Sequence, residues 1–315
     1  MLSNVNTIYR LEKTTNGNIY LACSGIHDIY QWNRLADSQL DATDTDGKII
    51  YSADGGASWQ LLYQFKHPVY WIAADPGNKN RMYAAVVCHA GSAGGIYYTD
   101  ALTTNPSAVW NRVTDPPRTI GHPANIIVLD NNNILCTYSA GYGTGNAPTK
   151  TSGVFQYSFN TGQWTDCTHA DAATNDSSMF YWTKDIIRDP KNPSTWYACT
   201  WHKHGAGGVF AVNNTANAWT WTKITGNTIN DATSMTFDPA DSDRLYITTE
   251  YTGIWVCDNI RSNNIAWRHV DGYNFRQPER IFFNPSNANE MWVTSYGNGI
   301  NVGTINKPAG AVRKH

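Results

Sequence analysis

Short runs of alternating hydrophobic and polar residues recur along this chain at intervals of about 50 residues. Each repeat has a turn rich in Asp and Asn, and a short apolar and aromatic strand follows it. The turns begin at Asn16, Asp75, Asp130, Asp189, Asp238 and Asn284, and the strands after them are centred on Tyr20, Tyr83, Leu135, Tyr197, Tyr246 and Trp292. Short alternating strands between turn residues predict an all-β fold.

The rest of each repeat predicts further strands. A glycine opens a third strand, and a tryptophan marks a fourth strand in five of the repeats. These residues are Gly47, Gly95, Gly153, Gly208, Gly253 and Gly299, and Trp59, Trp110, Trp164, Trp219 with Trp221, and Trp267. Four antiparallel strands per repeat are typical of a β-propeller blade. The sequence therefore predicts a single β-propeller domain over residues 1–315, with six blades of four strands.

The sixth repeat ends after its third strand, near Val302. A propeller needs this blade completed, because an open edge strand invites aggregation. We predict that the N-terminal segment, residues 1–6, supplies the missing strand. A C-terminal tail that folds back and a longer parent chain are the alternatives. The tail from about residue 304 lies outside the repeat and is predicted to be disordered.

Bulk composition narrows the classes of function. The formal net charge is −2, which excludes a polybasic surface for nucleic acid or anionic membranes. No apolar stretch is long enough for a transmembrane helix, and no signal peptide is visible at residue 1. Only 15% of residues are charged while 13% are aromatic, a balance that favours a monomeric, extracellular or periplasmic protein that handles carbohydrate.

Cysteines and acidic residues give weaker signals. Four cysteines, Cys23, Cys88, Cys136 and Cys199, fall on the second strands of successive blades, where the spacing is too wide for disulfides. We expect them to be reduced core residues. The acidic run that contains Asp41, Asp44 and Asp46 has oxygen ligands suited to calcium, but a solvated loop is the favoured interpretation. No cofactor is expected.

The segment YSADGGASW, residues 51–59, predicts a hairpin turn in which Asp54 and the serines bond to turn amides. This segment resembles an Asp-box, the signature of the sialidase-like (BNR-repeat) β-propellers. That superfamily includes sialidases, glycoside hydrolase family 74, polysaccharide lyases, sortilin-type receptor domains and photosystem assembly factors. Segments 275–285 and 292–299 resemble uncharacterised secreted bacterial propellers. The Arg-Ile-Pro motif of sialidases is absent. Family 74 enzymes typically have two propellers, whereas this sequence predicts one.

Blade topology sorts the loops onto two faces, and the long, varied loops share one of them. We call the face that carries these long loops the long-loop face. Seven of the nine histidines lie in its loops. When the blades are aligned on their Asp/Asn turns, Lys184 of blade 4 is equivalent to Glu279 of blade 6. Asp185 and Arg280, the next residues, are equivalent to each other. Charged residues at the start of apolar strands require partners, so they pair with each other or with a ligand.

Carbohydrate chemistry at this face is the favoured function, with a glycoside hydrolase as the first hypothesis. The candidate acids, bases or nucleophiles are Asp28, Asp185, Glu250 and Glu279. The candidate substrate-binding residues are His27, Arg34, His67, Trp71, His89, Arg118, His122, Tyr181, Trp182, Lys184, Trp201, His202, Tyr251, Arg276, Arg280 and Tyr296. The alternatives are a polysaccharide lyase that uses His, Tyr and Arg, and a non-catalytic propeller that binds glycans or proteins.

Overall fold

The structure is a computed structural model. It describes residues 5–25, 46–87, 94–104, 109–117, 122–130, 132–139, 152–168, 182–201, 207–215 and 218–305. These residues form an all-β fold of six successive blades, each with three or four antiparallel strands, which confirms the predicted six-bladed β-propeller. The chain divides into two compact units: unit 1 is Met1–Thr183 and unit 2 is Lys184–His315.

Unit 1 contains the first three blades. Blade 1 consists of β1 (Thr7–Lys13), β2 (Ile19–Ser24), β3 (Gly47–Ser52) and β4 (Gln60–Phe65). Blade 2 consists of β5 (Val69–Ala74), β6 (Met82–Val86), β7 (Gly95–Thr99) and β8 (Asn111–Arg112). Blade 3 consists of β9 (His122–Leu129), β10 (Asn133–Ser139), β11 (Gly153–Ser158) and β12 (Gln163–Asp166). Consecutive strands pair antiparallel within each blade.

Unit 2 contains the other three blades, and its boundary falls inside β13. Blade 4 consists of β13 (Trp182–Arg188), β14 (Thr195–Trp201), β15 (Gly208–Thr215) and β16 (Ala218–Lys223). Blade 5 consists of β17 (Ala232–Asp238), β18 (Asp241–Thr249), β19 (Ile254–Cys257) and β20 (Arg268–His269). Blade 6 consists of β21 (Pro278–Asn284), β22 (Asn287–Ser295) and β23 (Gly299–Thr304). The sixth blade thus has three strands among the described residues, as the repeat predicts.

The Asp/Asn turns join the first and second strands of the blades as predicted. In blade 2 the Asp75 carboxylate accepts hydrogen bonds from the backbone N–H groups of Gly77 (2.8 Å) and Asn78 (3.2 Å). In blade 4 Asp189 accepts equivalent bonds from Lys191 (2.7 Å) and Asn192 (3.0 Å). These side chains satisfy turn amides that have no partner in the sheet. In these two blades the Asp carboxylate therefore fixes the turn at which the innermost strand ends.

Aromatic residues at the centre of the second strands form the core between blades. Tyr20 packs with the buried Ile72 of blade 2, and Tyr246 packs with Ile281 of blade 6. Trp292 holds the same position in blade 6 and is 36% exposed. The described cysteines are free and buried, at positions 23, 136, 167, 199 and 257, which confirms the expectation for three of the four cysteines named above. Cys88 lies outside the described residues.

Tryptophans near the fourth strands fasten one blade to the one before it. The indole N–H of Trp164 in blade 3 donates to the carbonyl of Thr114, which follows blade 2 (2.7 Å). The indole of Trp267 in blade 5 donates to the Ile224 carbonyl after blade 4 (2.9 Å). These two half-buried indoles therefore contribute both a hydrogen bond and packing area between successive blades.

The N-terminal segment is described only at Val5 and Asn6, and both contact blade 1. Val5 packs against a cluster that contains Leu21, and the Asn6 N–H donates to the Ser24 carbonyl (3.0 Å). Completion of blade 6 by this segment therefore stays a prediction.

The turn at residues 52–59 has the predicted hydrogen bonds. Asp54 accepts bonds from the hydroxyl of Ser52 (2.7 Å) and from the N–H (2.9 Å) and hydroxyl (2.6 Å) of Ser58. Gly55 and Gly56 have positive φ values of 74° and 98°, and the Trp59 indole donates to the Gly56 carbonyl (3.0 Å). The bonds to Ser58 and Ser52 hold the pKa of Asp54 well below its usual range. Asp54 is therefore a scaffold residue.

Replacing Asp54 with Ala should lower the free energy of unfolding at neutral pH. Because the folded-state pKa of Asp54 is depressed, its charged form stabilises the native state above the unfolded-state value of about 4, and this contribution is lost as pH falls. Urea unfolding from neutral to acidic pH would check the prediction. The difference between wild type and variant should shrink with acidity; a difference independent of pH would contradict it.

Candidate functional site

Five charged residues of unit 2 converge at one end of its strands. We call Lys184, Asp185, Glu250, Glu279 and Arg280 the charged cluster. The first two lie near the start of β13, the last two near the start of β21, and Glu250 follows the end of β18. Since β17 and β18 are antiparallel, the end of β18 lies beside the start of the innermost strand of blade 5. Antiparallel pairing thus brings residues from three blades to the same edge.

The Lys184 ammonium interacts electrostatically with two glutamates, Glu279 and Glu250. Burial lowers the pKa of the Lys184 ammonium, while Glu279 and Glu250 act to raise it. Burial raises the pKa of the Glu279 carboxyl, opposed by Lys184 and Arg280 and reinforced by Glu250. Glu279 and Glu250 are both partly exposed, so solvent reaches them. One carboxyl with a raised pKa next to a second carboxylate is an arrangement found at acid/base sites.

Asp185 and Arg280 form an ion pair beneath these groups. The Arg280 guanidinium donates to the Asp185 carboxylate at 3.2 Å, and Asp185 is 1% exposed. The same carboxylate accepts bonds from the N–H groups of Ile186 (3.0 Å) and Met235 (3.4 Å). The sequence left two partners open for the charged residues at these strand starts: each other, or a ligand. The structure pairs Asp185 with Arg280. This contact favours a structural role for Asp185.

A buried hydroxyl network supports the main chain at Glu279. The Thr248 hydroxyl donates to the Glu279 carbonyl (3.1 Å), and the Thr233 hydroxyl donates to the Pro278 carbonyl (3.1 Å). Ser234 and Thr233 each lie within 3.0 Å of the Thr248 hydroxyl. Three hydroxyls of blade 5 therefore fix the start of β21, which carries Glu279.

Glu250 belongs to a tight turn that another acid supports. Interaction with the neighbouring Glu250 carboxylate is the main cause of the raised pKa of the Tyr251 phenol. Asp231, buried before β17, accepts the Tyr251 N–H at 2.6 Å. Asp231 was not among the residues that the sequence patterns indicated. Its only sequence signal is an acidic side chain just before an innermost strand.

Exposed aromatic rings flank the cluster on the same side of unit 2. Tyr251 is 70% exposed and Tyr296 is 65% exposed, and Phe275 is also exposed. Tyr296 follows β22 and its N–H donates to the Gln277 carbonyl (3.0 Å), while Phe275 precedes β21 and contacts Tyr273. Arg276, next to Phe275, is exposed as well. Exposed rings and a guanidinium at a polar edge are suited to binding sugars.

The candidates of unit 1 whose side chains the structure describes are buried. His67 is fully buried, and its Nδ1 donates to the Val87 carbonyl (2.9 Å); His122 is buried in β9. Trp71 is buried, with the Arg10 guanidinium 4.2 Å from the ring centroid. In unit 2, Trp201 is buried at the end of β14. None of these four side chains is exposed to solvent as Glu250 and Glu279 partly are.

Several candidates cannot be placed. His27, Asp28, Arg34, His89, Arg118, Tyr181 and His202 lie outside the described residues, as do Asp41 and Asp44 of the acidic run. Trp182 begins β13, but its side chain is not described. Asp46 is buried before β3. In the described parts of the chain no three His, Cys, Asp or Glu side chains form a group that could hold a metal ion, and no helix is long and apolar enough to cross a membrane.

No family model matches the sequence, and no curated protein sequence matches it. Solved structures do resemble the fold. The GH74 enzyme of Niastella koreensis matches with a TM-score of 0.56 and 17% identity over 94% of this chain and 51% of that chain. The extracellular domain of the BT4673 hybrid two-component system of B. thetaiotaomicron matches with a TM-score of 0.62 and 12% identity over 96% of this chain and 34% of that chain.

YCF48 bound to D1 peptide matches with a TM-score of 0.58 and 13% identity over 96% of this chain and 80% of that chain. This chain spans about half the length of the GH74 enzyme and about a third of the BT4673 domain. At such low identity, likeness shows the fold and no activity. The chain is thus a β-propeller that resembles GH74 enzymes and other bacterial propellers.

Proposed function

We propose that this protein is a glycoside hydrolase whose acid/base site is the charged cluster of unit 2. The observation that carries the proposal is the pair of partly exposed glutamates, Glu250 and Glu279, which interact electrostatically with Lys184 and with each other. Glycoside hydrolysis requires one carboxylic acid and one carboxylate near the scissile bond. The environments of these two glutamates suit those two roles.

Glu279 acts as the proton donor in this mechanism. Its raised pKa keeps a larger fraction of the carboxyl protonated, so it can protonate the oxygen of the leaving sugar. Glu250 acts as the carboxylate that activates water or attacks the sugar. Tyr251 follows Glu250 on the same turn, and the Glu250 carboxylate raises the pKa of the Tyr251 phenol; the Lys184 ammonium interacts with the charge of Glu250.

The substrate is a polysaccharide or oligosaccharide that contacts the exposed rings of Tyr251, Phe275 and Tyr296. Aromatic faces bury the apolar faces of sugar rings, and Arg276 offers hydrogen bonds to hydroxyl groups. The neighbouring Lys184 and Arg280 supply further donors at the acid/base site. His27, Arg34, His89, Arg118, Tyr181, Trp182 and His202 remain candidates for further sugar contacts.

A lyase is the second candidate enzyme, and the described histidines do not favour it. A lyase needs a base that reaches the proton next to a uronate, whereas His67 and His122 are both buried. A non-catalytic glycan- or protein-binding propeller would use the exposed rings without the glutamates. One of the similar propellers, YCF48, is bound to a peptide in its solved structure, which fits that alternative.

The superfamily, the localisation and the oligomeric state of the protein are proposals as well. The hydrogen-bonded turn at residues 52–59 supports membership of the sialidase-like Asp-box (BNR-repeat) propellers. Three similar structures are described as GH74 enzymes, one of them a xyloglucanase, and others as extracellular domains. On this basis we place the protein outside the cytoplasm, as a monomeric polysaccharide-degrading enzyme without a cofactor.

A screen of plant, algal and host polysaccharides tests the proposal. Reducing ends and absorbance at the wavelength of unsaturated uronates are followed together for the wild type. A hydrolase releases reducing ends without gain of absorbance. Growth of absorbance would replace the proposal with the lyase. Binding on a glycan array without any cleavage would replace it with the non-catalytic propeller.

Replacing Lys184 with Met should move the alkaline limb of the pH–activity profile to higher pH. The Lys184 charge lowers the pKa of Glu279, so its removal raises that pKa further and keeps the proton donor protonated at higher pH. Lys191→Met is the control, since Lys191 pairs with Asp243 (2.9 Å) at the turn ends of the strands. A limb that stays in place or moves to lower pH would contradict the assignment of Glu279.

A further inference from the structure

The turn that carries Glu250 and Tyr251 is closed by its own hydroxyl groups. It joins β18 to β19 over residues 249–253. The Thr249 hydroxyl donates to the Gly253 carbonyl (2.7 Å) and accepts the Thr252 N–H (3.1 Å). The Thr252 hydroxyl accepts the indole N–H of Trp255 (3.1 Å). These bonds hold the base of the turn, while Glu250 and Tyr251 at its tip need a separate anchor.

Asp231 supplies that anchor through two different atoms. Its backbone carbonyl accepts the Glu250 N–H (3.0 Å), and its carboxylate accepts the Tyr251 N–H (2.6 Å). Two successive amides of the turn therefore bond to one residue, nineteen and twenty positions earlier in the chain. Asp231 is itself fixed, because it is buried and forms an antiparallel bridge with Trp201 at the end of β14.

The carboxylate of Asp231 stays available to the turn because other backbone groups stabilise it. Burial raises the pKa of Asp231, and hydrogen bonds from the N–H groups of Tyr251, Asp231 and Asn230 oppose that rise. A buried acid that accepts several backbone bonds has one fixed orientation. Because the Tyr251 N–H bonds to this carboxylate, the position of the tip of the turn is fixed as well.

We propose that Asp231 is a positioning residue that aims the Glu250 carboxylate, with its Tyr251 hydroxyl partner, at the substrate. The proposal rests on the proposed function of the charged cluster. Asp231 does not contact the substrate in this proposal. It fixes the main chain of Glu250 and Tyr251. Loss of the Asp231 carboxylate removes the bond to the Tyr251 N–H and leaves only the backbone bond to the Glu250 N–H, so the tip shifts and the Glu250 carboxylate moves away from the reacting sugar.

The test compares Asp231→Ala with Asp231→Asn, which retains an oxygen acceptor for the Tyr251 N–H. We expect Asp231→Ala to lower kcat by about ten- to a hundredfold with little change in KM, and Asp231→Asn to lose less. The second readout is the titration of the Tyr251 phenol, followed by NMR with ring-labelled tyrosine and assigned with Tyr251→Phe. In Asp231→Ala the Tyr251 pKa should fall toward the ordinary value of about 10, because the displaced tip weakens the interaction of the phenol with the Glu250 carboxylate.

The two readouts separate the two proposals. An unchanged Tyr251 titration in folded Asp231→Ala would overturn the positioning role, whatever the activity. A shifted titration in a protein that cleaves no glycan would support the positioning role and contradict the hydrolase. If Asp231→Ala does not fold, Asp231→Glu replaces it: the longer side chain displaces the acceptor, so the same shift is expected, and an unchanged titration would overturn the role.

Discussion

A Glu279→Gln variant is expected to lose about 10²- to 10⁴-fold of kcat on a polysaccharide substrate, with KM little changed. Glutamine has the shape of the acid but cannot give a proton to the leaving oxygen. The hydroxyl network from Thr248 holds the Glu279 main chain, so the amide should occupy the same place. Initial rates of reducing-end release at several substrate concentrations would measure kcat and KM separately.

Glu290→Gln is the matched control for this variant. Glu290 lies on β22 of the same blade and accepts bonds from the Asn284 amide (2.8 Å) and the Trp292 indole (2.8 Å), away from the charged cluster. Its amide should retain near-normal kcat. Equal losses in the two variants would indicate general damage to blade 6 and would contradict a specific acid role for Glu279.

Replacing Asp185 with Ala should destabilise unit 2 by about 3 kcal/mol or more. Removing one member of a buried ion pair leaves the other without its compensating charge, which typically costs about 3–5 kcal/mol. Here the Arg280 guanidinium and the Met235 N–H would both lose the Asp185 carboxylate. Because Arg280 is partly exposed, the low end of that range is expected. Urea unfolding followed by tryptophan fluorescence would measure the loss.

Two further variants test whether loss of the ion pair causes the lower stability of Asp185→Ala. Asp271→Ala removes a highly exposed carboxylate that contacts only His269 among the described bonds, and it should leave the unfolding midpoint almost unchanged. The double variant Asp185→Leu/Arg280→Met removes both charges and should be more stable than Asp185→Ala alone. A double variant no more stable than the single one would show that the ion pair is not the reason for the loss.

The blade pattern could be predicted from the sequence because its causes are local. An Asp carboxylate bonds to amides two and three residues later, as at Asp75 and Asp189, so the turn is specified within four residues. The second strands follow at a fixed distance and are centred on a buried aromatic residue. Fourth strands were harder to delimit: in blades 2 and 5 they pair over only two residues, and their tryptophans lie just before them.

The charged cluster could be predicted in part because blade alignment reproduces spatial equivalence. Lys184 and Glu279 occupy the same register, and the structure brings them to one edge of unit 2. Asp231 could not be found this way, because its partner Tyr251 is twenty residues away and the bond depends on how a turn folds back. Nor could a pattern distinguish the buried His67 from a solvent-facing base, since burial is set by packing between strands.

The most direct test of the central claim, that Glu279 is the proton donor for glycosidic cleavage, is a comparison of leaving groups. Wild type and Glu279→Gln are assayed on two aryl glycosides of the sugar identified by the screen, one with a weakly acidic phenol and one with a strongly acidic phenol. A strongly acidic phenol departs without a proton, so the variant should be severely impaired on the first substrate and close to wild type on the second. An equal loss on both substrates would contradict the role of Glu279.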